Sequence, residues 1–228
     1  MSKHGKRYLK AKGLIEAGKQ YEPAEAVTLL KSMPTTKFDG SVEVHIRLGV
    51  DVKQANQLVR GSTVLPHGVG KTKRIAVFCD DDKVKEAKAA GAVLVGGEEL
   101  IKDIQSSGKC DFDVAIATPN MMKLLAPIAK ILGQKGLMPN PKTETITPDV
   151  VKAVENLNKG KVNFKADDSG NIHQMIGKLS FEPAKLVENL TSFVEAVKRV
   201  RPAGAKGTYL VSVTLVSSMG PGVAVKSS

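Results

Sequence analysis

The 228-residue chain carries 34 Lys/Arg against 23 Asp/Glu, a formal charge of +11 with a pI near 9.6. It is 42% hydrophobic and 25% charged, a composition that supports a buried core, excludes a disordered tail and points to a polyanionic partner. No apolar run approaches the roughly 18 residues of a membrane span, and the basic start Met1-Ser-Lys-His-Gly-Lys-Arg-Tyr-Leu-Lys10 lacks the apolar stretch of a signal peptide, so a cytoplasmic protein is expected.

Residues 1–20 read as a basic arm, a solvated tail whose charge alone argues for phosphate contact. Pro23 suits the first turn of a helix that runs to about Ser32. A loop through Lys37-Phe38-Asp-Gly40 precedes a strand from Ser41 to Leu48, with Val42, Val44, Ile46 and Leu48 on one face and Glu43, His45 and Arg47 on the other. His45 on that polar face reads as a solvated residue rather than a ligand, and Lys53 and Arg60 as ordinary solvated charges. Ser62 to Pro66 reads as a short strand.

The following Pro66-His-Gly-Val-Gly-Lys-Thr72 ends in a tempting Gly70-Lys71-Thr72. A phosphate-cradling P-loop needs a glycine five residues before Gly70 and a helix after the Thr. Leu65 stands in the first place, and the strand Arg74-Ile-Ala-Val-Phe-Cys79 follows, so both requirements fail.

From 74 to 158 the pattern alternates. Strand 74–79 leads to a helix from Asp82 to Ala90, and strand 92–95 to a helix opening at Gly97-Glu-Glu99. Strand 113–118 leads to a helix from Pro119 to about Leu132. Thr147-Pro-Asp149 caps a last helix, to about Asn158. Such alternation implies a parallel sheet covered on both faces. Neither Gly91 nor Gly96-Gly97 completes a Gly-x-Gly-x-x-Gly fingerprint, so no dinucleotide is indicated. Asp80, Asp81 and Asp82 cluster where α/β enzymes place their sites, but no nucleophile–base pair accompanies them; they read as a helix start favoured by the dipole.

After Lys159-Gly160 come antiparallel strands 161–166 and 171–179 around the turn Asp167-Asp-Ser-Gly170. Pro183 opens the longest helix, whose Leu186, Leu190, Phe193 and Val197 form one buried stripe. The final strand from Ser212 alternates hydroxyl and aliphatic residues and ends in Ser217-Ser-Met-Gly-Pro-Gly222. That turn offers hydroxyls, a soft apolar side chain and two glycines that permit close backbone approach.

Cys79 and Cys110 are far apart and in no Cys-x-x-Cys pair, so they read as reduced core thiols with neither a disulfide nor a metal. Residues 68–159 hold 14 Lys/Arg and 12 Asp/Glu, whereas the two ends together hold 20 and 11. The charge excess thus belongs to the ends. Neither end has enough strands and helices to cover its own apolar faces; joined, they give about five strands and two helices in two layers. The middle block is then an insertion, entered near Pro66, Gly68 and Gly70 and left near Lys159 and Gly160, which are the candidate hinge residues. With 4% aromatics and no tryptophan, a stacking platform for single strands is not indicated. Phosphate contacts on a folded nucleic acid fit better.

These stretches together resemble the large-subunit ribosomal protein L-one (uL-one) family in its bacterial form. The resemblance is carried by Lys3-His-Gly-Lys-Arg-Tyr8, Lys37-Phe38-Asp39, Gly61 with Leu65-Pro-His-Gly68, and Val95-Gly-Gly-Glu-Glu99. It continues through Gly136-Leu137 with Pro139-Asn-Pro-Lys142, Gly204-Ala-Lys-Gly-Thr208, and Ser218-Met-Gly-Pro221. It implies an α/β fold of two domains. One is a discontinuous α+β (split β-α-β, two-layer) RNA-binding domain from residues 1–67 and 160–228; the other is an inserted Rossmann-like three-layer α/β domain from residues 68–159. It further implies a non-enzymatic protein that binds a helical junction of 23S-type rRNA in the large ribosomal subunit. There it forms the mobile stalk near the tRNA exit (E) site and assists release of deacylated tRNA; many relatives also repress their own operon mRNA.

The family's strongest RNA contacts map to Lys37, Phe38, Ser218, Met219 and Gly220. Ser218 stands where many relatives have Thr, and Lys165 where an arginine is common, keeping charge without the bidentate fork. The candidate RNA-binding set is Lys37, Phe38, Ser41, Lys165, His173, Thr208, Ser217, Ser218, Met219 and Gly220. No catalytic residue, metal, cofactor, membrane or small-molecule substrate is expected. The competing readings are an enzyme using the α/β block on a phosphate-bearing substrate, and a basic RNA chaperone outside the ribosome.

Overall fold

A computed structural model describes residues 4–33, 36–70, 73–158 and 160–226. The chain divides into two units, residues 1–70 with 162–228 and residues 71–161.

In the first unit, α1 (Lys6–Lys12) and α2 (Pro23–Ser32) lead to β1 (Ser41–Leu48), and β2 (Arg60–Val64) closes the N-terminal part. The C-terminal part adds β6 (Lys161–Lys165), β7 (Asn171–Lys178), α7 (Pro183–Arg199), β8 (Leu210–Ser217) and β9 (Gly222–Val225). β7, β1, β8 and β9 form a four-stranded sheet in that order, with β1 antiparallel to both neighbours. β2 and β6 form a separate two-stranded sheet.

The period-two pattern of β1 is realised fully: Val42, Val44, Ile46 and Leu48 are buried. They meet Ile172, Ile176, Val213, Leu215, Val223 and Val225 from the other strands on one face of the sheet. α2 and α7 cover that face, contributing Val27 and Leu30 from one helix and Leu186, Leu190, Phe193 and Val197 from the other. Phe164 of β6 meets Phe193 edge-on at 5.3 Å between centroids. Pro183 occupies the first turn of α7, and Lys198 and Arg199 its last, where cations complement the carbonyl end of the dipole.

In the second unit the sheet is parallel, with β3 (Ile75–Phe78) between β4 (Leu94–Gly96) and β5 (Val114–Ala117). Successive residues of β3 and β5 enter opposite cores. Ala76, Phe78, Ala115 and Ala117 pack with α4 (Glu98–Ser107) and Leu125, Ile128 and Leu132, while Ile75, Val77 and Ile116 pack with α3 (Asp81–Ala89) and α6 (Val150–Asn158). Burial on both faces is why these strands read as continuous apolar runs.

Four expectations are corrected. The N-terminal arm contains α1, with Ala11 buried, and Tyr21 joins the sheet edge through Tyr21 N–H to Ala224 O at 2.9 Å and Lys226 N–H to Tyr21 O at 3.0 Å. The helix expected from Pro119 is instead a run of turns, a 3₁₀ turn at Ala126–Ile128 and a short α5 (Ala129–Gln134). Pro127 lacks an N–H and disfavours helical geometry in the residue before it, so one continuous helix cannot form. The strand placed at 62–66 runs from Arg60 to Val64. The strand through Ser212 is also not the last: β9 adds a fourth strand beyond Pro221.

Candidate nucleic-acid interface

Antiparallel pairing brings the start of β1 beside the end of β8 and the end of β7, with Ser41 opposite Lys178 and Val42 opposite Ser217. Two segments more than a hundred residues downstream of the start of β1 therefore share one sheet end with it. Ser218 ties two of them together: its N–H donates to Ser41 O at 3.0 Å, and its hydroxyl accepts the Ser41 N–H at 2.9 Å. Lys178 Nζ donates to Ser41 Oγ at 3.1 Å. Asp39 fixes the preceding loop by accepting from Ser180 N–H at 3.1 Å and the Ser180 hydroxyl at 2.9 Å.

Two large apolar side chains stand exposed on this braced end. Phe38 is 58% exposed and Met219 73%. A strand-entry Phe is ordinarily buried, so Phe38 has no packing reason for its position. Met219 adopts a left-handed backbone, φ 60°, a conformation that costs a residue with a Cβ about 1 kcal/mol or more. Gly220 follows with its N–H donating to Ser217 O at 2.8 Å. A Cβ on Gly220 would lie 2.3 Å from Ser217 Oγ, so the turn admits only glycine without rearrangement. Lys37 is exposed beside Phe38.

The candidate residues do not all converge here. Ser217 is 6% exposed, with its side chain on the covered side of the sheet, so its hydroxyl shapes the turn from beneath. Thr208 precedes β8 at the opposite end of the sheet, where Tyr209 O accepts Gly49 N–H. The eight residues of β8 and Tyr209 separate it from Ser218, about 30 Å at ~3.3 Å per residue. Lys165 is exposed on β6, in the other sheet. His173 lies between the two ends, opposite His45 on the sheet face that α2 and α7 leave uncovered. That face also presents Glu43, Arg47, Met175, Ser212, Thr214 and Val216, none of which sequence reasoning assigned to the site. Their alternation along paired strands was the available signal; the pairing itself was not visible.

Of the candidate hinge residues, Pro66 and Gly68 lie in a segment held to α7. The fully buried Asn189 accepts the His67 N–H at 3.1 Å and donates to Gly68 O at 2.9 Å and Ile176 O at 2.8 Å. Gly70 has φ 71° and Gly160 φ 99°. Lys159 lies outside the described residues, as do Lys71 and Thr72 of the failed P-loop.

In the second unit, the strand ends border a crevice of about 580 Å³ lined by Asp80, Lys88, Glu98, Glu99 and the apolar Met121 and Leu124. Three carboxylates there repel phosphate, which disfavours a nucleotide substrate. Cys79 is buried and Cys110 half-buried, neither in a disulfide, and no group able to hold a metal ion exists among the described residues. No described helix is long and apolar enough to cross a membrane.

The model of the Ribosomal protein L1p/L10e family matches residues 29–221, which span β1 through the Ser218-Met219-Gly220 turn and all of the second unit. The family is structural rather than enzymatic. The chain therefore belongs to the Ribosomal protein L1p/L10e family, as a ribonucleoprotein constituent of the large ribosomal subunit.

Proposed function

We propose that the first unit binds 23S-type ribosomal RNA directly at a helical junction, using the sheet end built from Lys37, Phe38, Ser41, Ser218, Met219 and Gly220. The observation that carries this reading is the exposure of Phe38 and Met219 on a backbone locked by the Ser41–Ser218 hydrogen bonds. Preorganised apolar groups of this kind pack on sugar and base faces without a large ordering cost. RNA helices are read through their shallow minor groove, 2′-hydroxyls and phosphates. The Met219 N–H and the Lys37 ammonium meet those groups, and Ser217 sets the turn's shape from below. Lys165, His173 and Thr208 extend the contact along the sheet rather than adding to its end.

On the ribosome the inserted unit is the mobile part of the stalk near the tRNA exit (E) site and assists release of deacylated tRNA. Because Asn189 bonds the backbone of His67 and Gly68 to α7, motion between the units pivots at Gly70 and at Lys159–Gly160. The same RNA surface binds a messenger segment of the protein's own operon that imitates the ribosomal site, and represses its translation. The protein acts in the cytoplasm, with no cofactor and no small-molecule substrate.

The test is a binding titration against deproteinised large-subunit RNA. Met219→Asp places a carboxylate against the RNA and lowers affinity at least tenfold, about 1.4 kcal/mol, while the variant still melts cooperatively. Unchanged affinity removes this turn from the interface.

A further inference from the structure

On the uncovered sheet face, β1 and β7 place His45 opposite His173, with ring nitrogens Nδ1 and Nδ1 only 2.6 Å apart. One ring must donate and the other accept, so the bonded pair holds either no positive charge or one. Each outer nitrogen looks toward a carboxylate: His173 Nε2 lies 3.4 Å from Asp167 Oδ2, and His45 Nε2 3.9 Å from Glu43 Oε2. Four titratable groups thus run across two strands as carboxylate, imidazole, imidazole, carboxylate.

Two other charged groups lie on this face among the described residues of these strands: Arg47, two residues along β1 and opposite Asn171, and Lys178, opposite Ser41 with its Nζ donating to the Ser41 hydroxyl. β7 is the edge strand, and on the far side β8 offers only Ser212, Thr214 and Val216 to this face. With both imidazoles neutral the array carries two negative charges, an arrangement that repels a polyanion. With one proton shared between the rings it carries one.

We infer that the His45–His173 pair is a further part of the RNA interface, and that it takes up one proton when RNA binds. The inference rests on the RNA-binding reading of this unit. Partial burial and the neighbouring His173 hold His45 below the ordinary imidazole value, with Glu43 pulling the other way. A phosphate within about 4–6 Å favours the charged form and raises the pair's affinity for a proton. By linkage, RNA affinity rises as pH falls through the value of the bound pair, and levels off below that of the free pair.

The experiment measures binding of the full chain to deproteinised large-subunit RNA at pH 6, 7 and 8 and constant ionic strength. The wild type gains about tenfold in affinity from pH 8 to pH 6. His45→Gln/His173→Gln gains less than twofold, whereas His67→Gln, whose ring pairs with Glu188 on α7, keeps the wild-type rise. Calorimetry in two buffers of different ionisation enthalpy registers uptake of about half to one proton per complex near pH 7 in the wild type and none in the double variant. A flat wild-type profile, or an undiminished rise in the double variant, overturns the inference and leaves the RNA reading standing. Absence of binding at every pH overturns both.

Discussion

A Cβ on Gly220 would sit 2.3 Å from the Ser217 hydroxyl, closer than any real Cβ contact. Gly220→Ala therefore displaces either Ser217 or the turn, and is expected to cost about 1 kcal/mol of stability and about tenfold in RNA affinity. Adding Ser217→Ala removes the obstructing oxygen and restores part of both losses, a coupling that a double-mutant cycle in urea unfolding and RNA binding reads directly. Met219 gives effects of opposite sign. Met219→Gly relieves its left-handed strain and raises the melting temperature slightly, yet weakens RNA binding by removing the exposed side chain. Tyr209 reports on the core: burial pushes its phenol up to about 12, and its hydroxyl donates to Val197 O at 3.2 Å. Between pH 10 and 12 the unfolded chain releases a proton that the native state keeps, so stability falls as pH rises through that window. Urea melts at pH 9 and 11.5 will show this fall in the wild type and a smaller one in Tyr209→Phe.

At the scale of elements, legibility followed periodicity. β1 and α7 were readable because each has one buried face, and their apolar residues recur at two and at three-to-four residue spacing. α1 was not, because its one deeply buried residue is Ala11 and its lysines suit a solvated tail equally well. β9 was hidden by its length: Gly222-Val-Ala-Val225 has only two inward residues, Val223 and Val225, and follows a turn that reads as an ending. Val223 is nonetheless fully buried opposite Leu215. Val223→Ala removes two buried carbons and is expected to cost about 2 kcal/mol, measurable as a lower midpoint in urea. An unchanged midpoint would mean that β9 adds little to this core. The candidate site was legible in part, through the family resemblance rather than through periodicity. Lys37, Phe38 and Ser218-Met219-Gly220 could be named, but strand register decides which candidates share a sheet end. Only pairing shows that Thr208 is a strand's length away while Lys178 and Asp39 brace the cluster.

For the whole molecule, charge and fold divide the labour. Residues 1–70 with 162–228 carry 19 Lys/Arg and 11 Asp/Glu, against 15 and 12 in residues 71–161. The first unit therefore holds most of the positive excess, together with the exposed apolar turn. If about five phosphates are neutralised, the logarithm of RNA affinity falls with the logarithm of salt concentration at a slope of about −4. The central claim is that RNA lies against the uncovered face and end of the four-stranded sheet. Its most direct test is ultraviolet cross-linking of the full chain to large-subunit ribosomal RNA, with the cross-linked peptides identified by mass spectrometry. Cross-links concentrated in residues 36–47 and 212–220 are the predicted result; cross-links confined to residues 73–158 would contradict it.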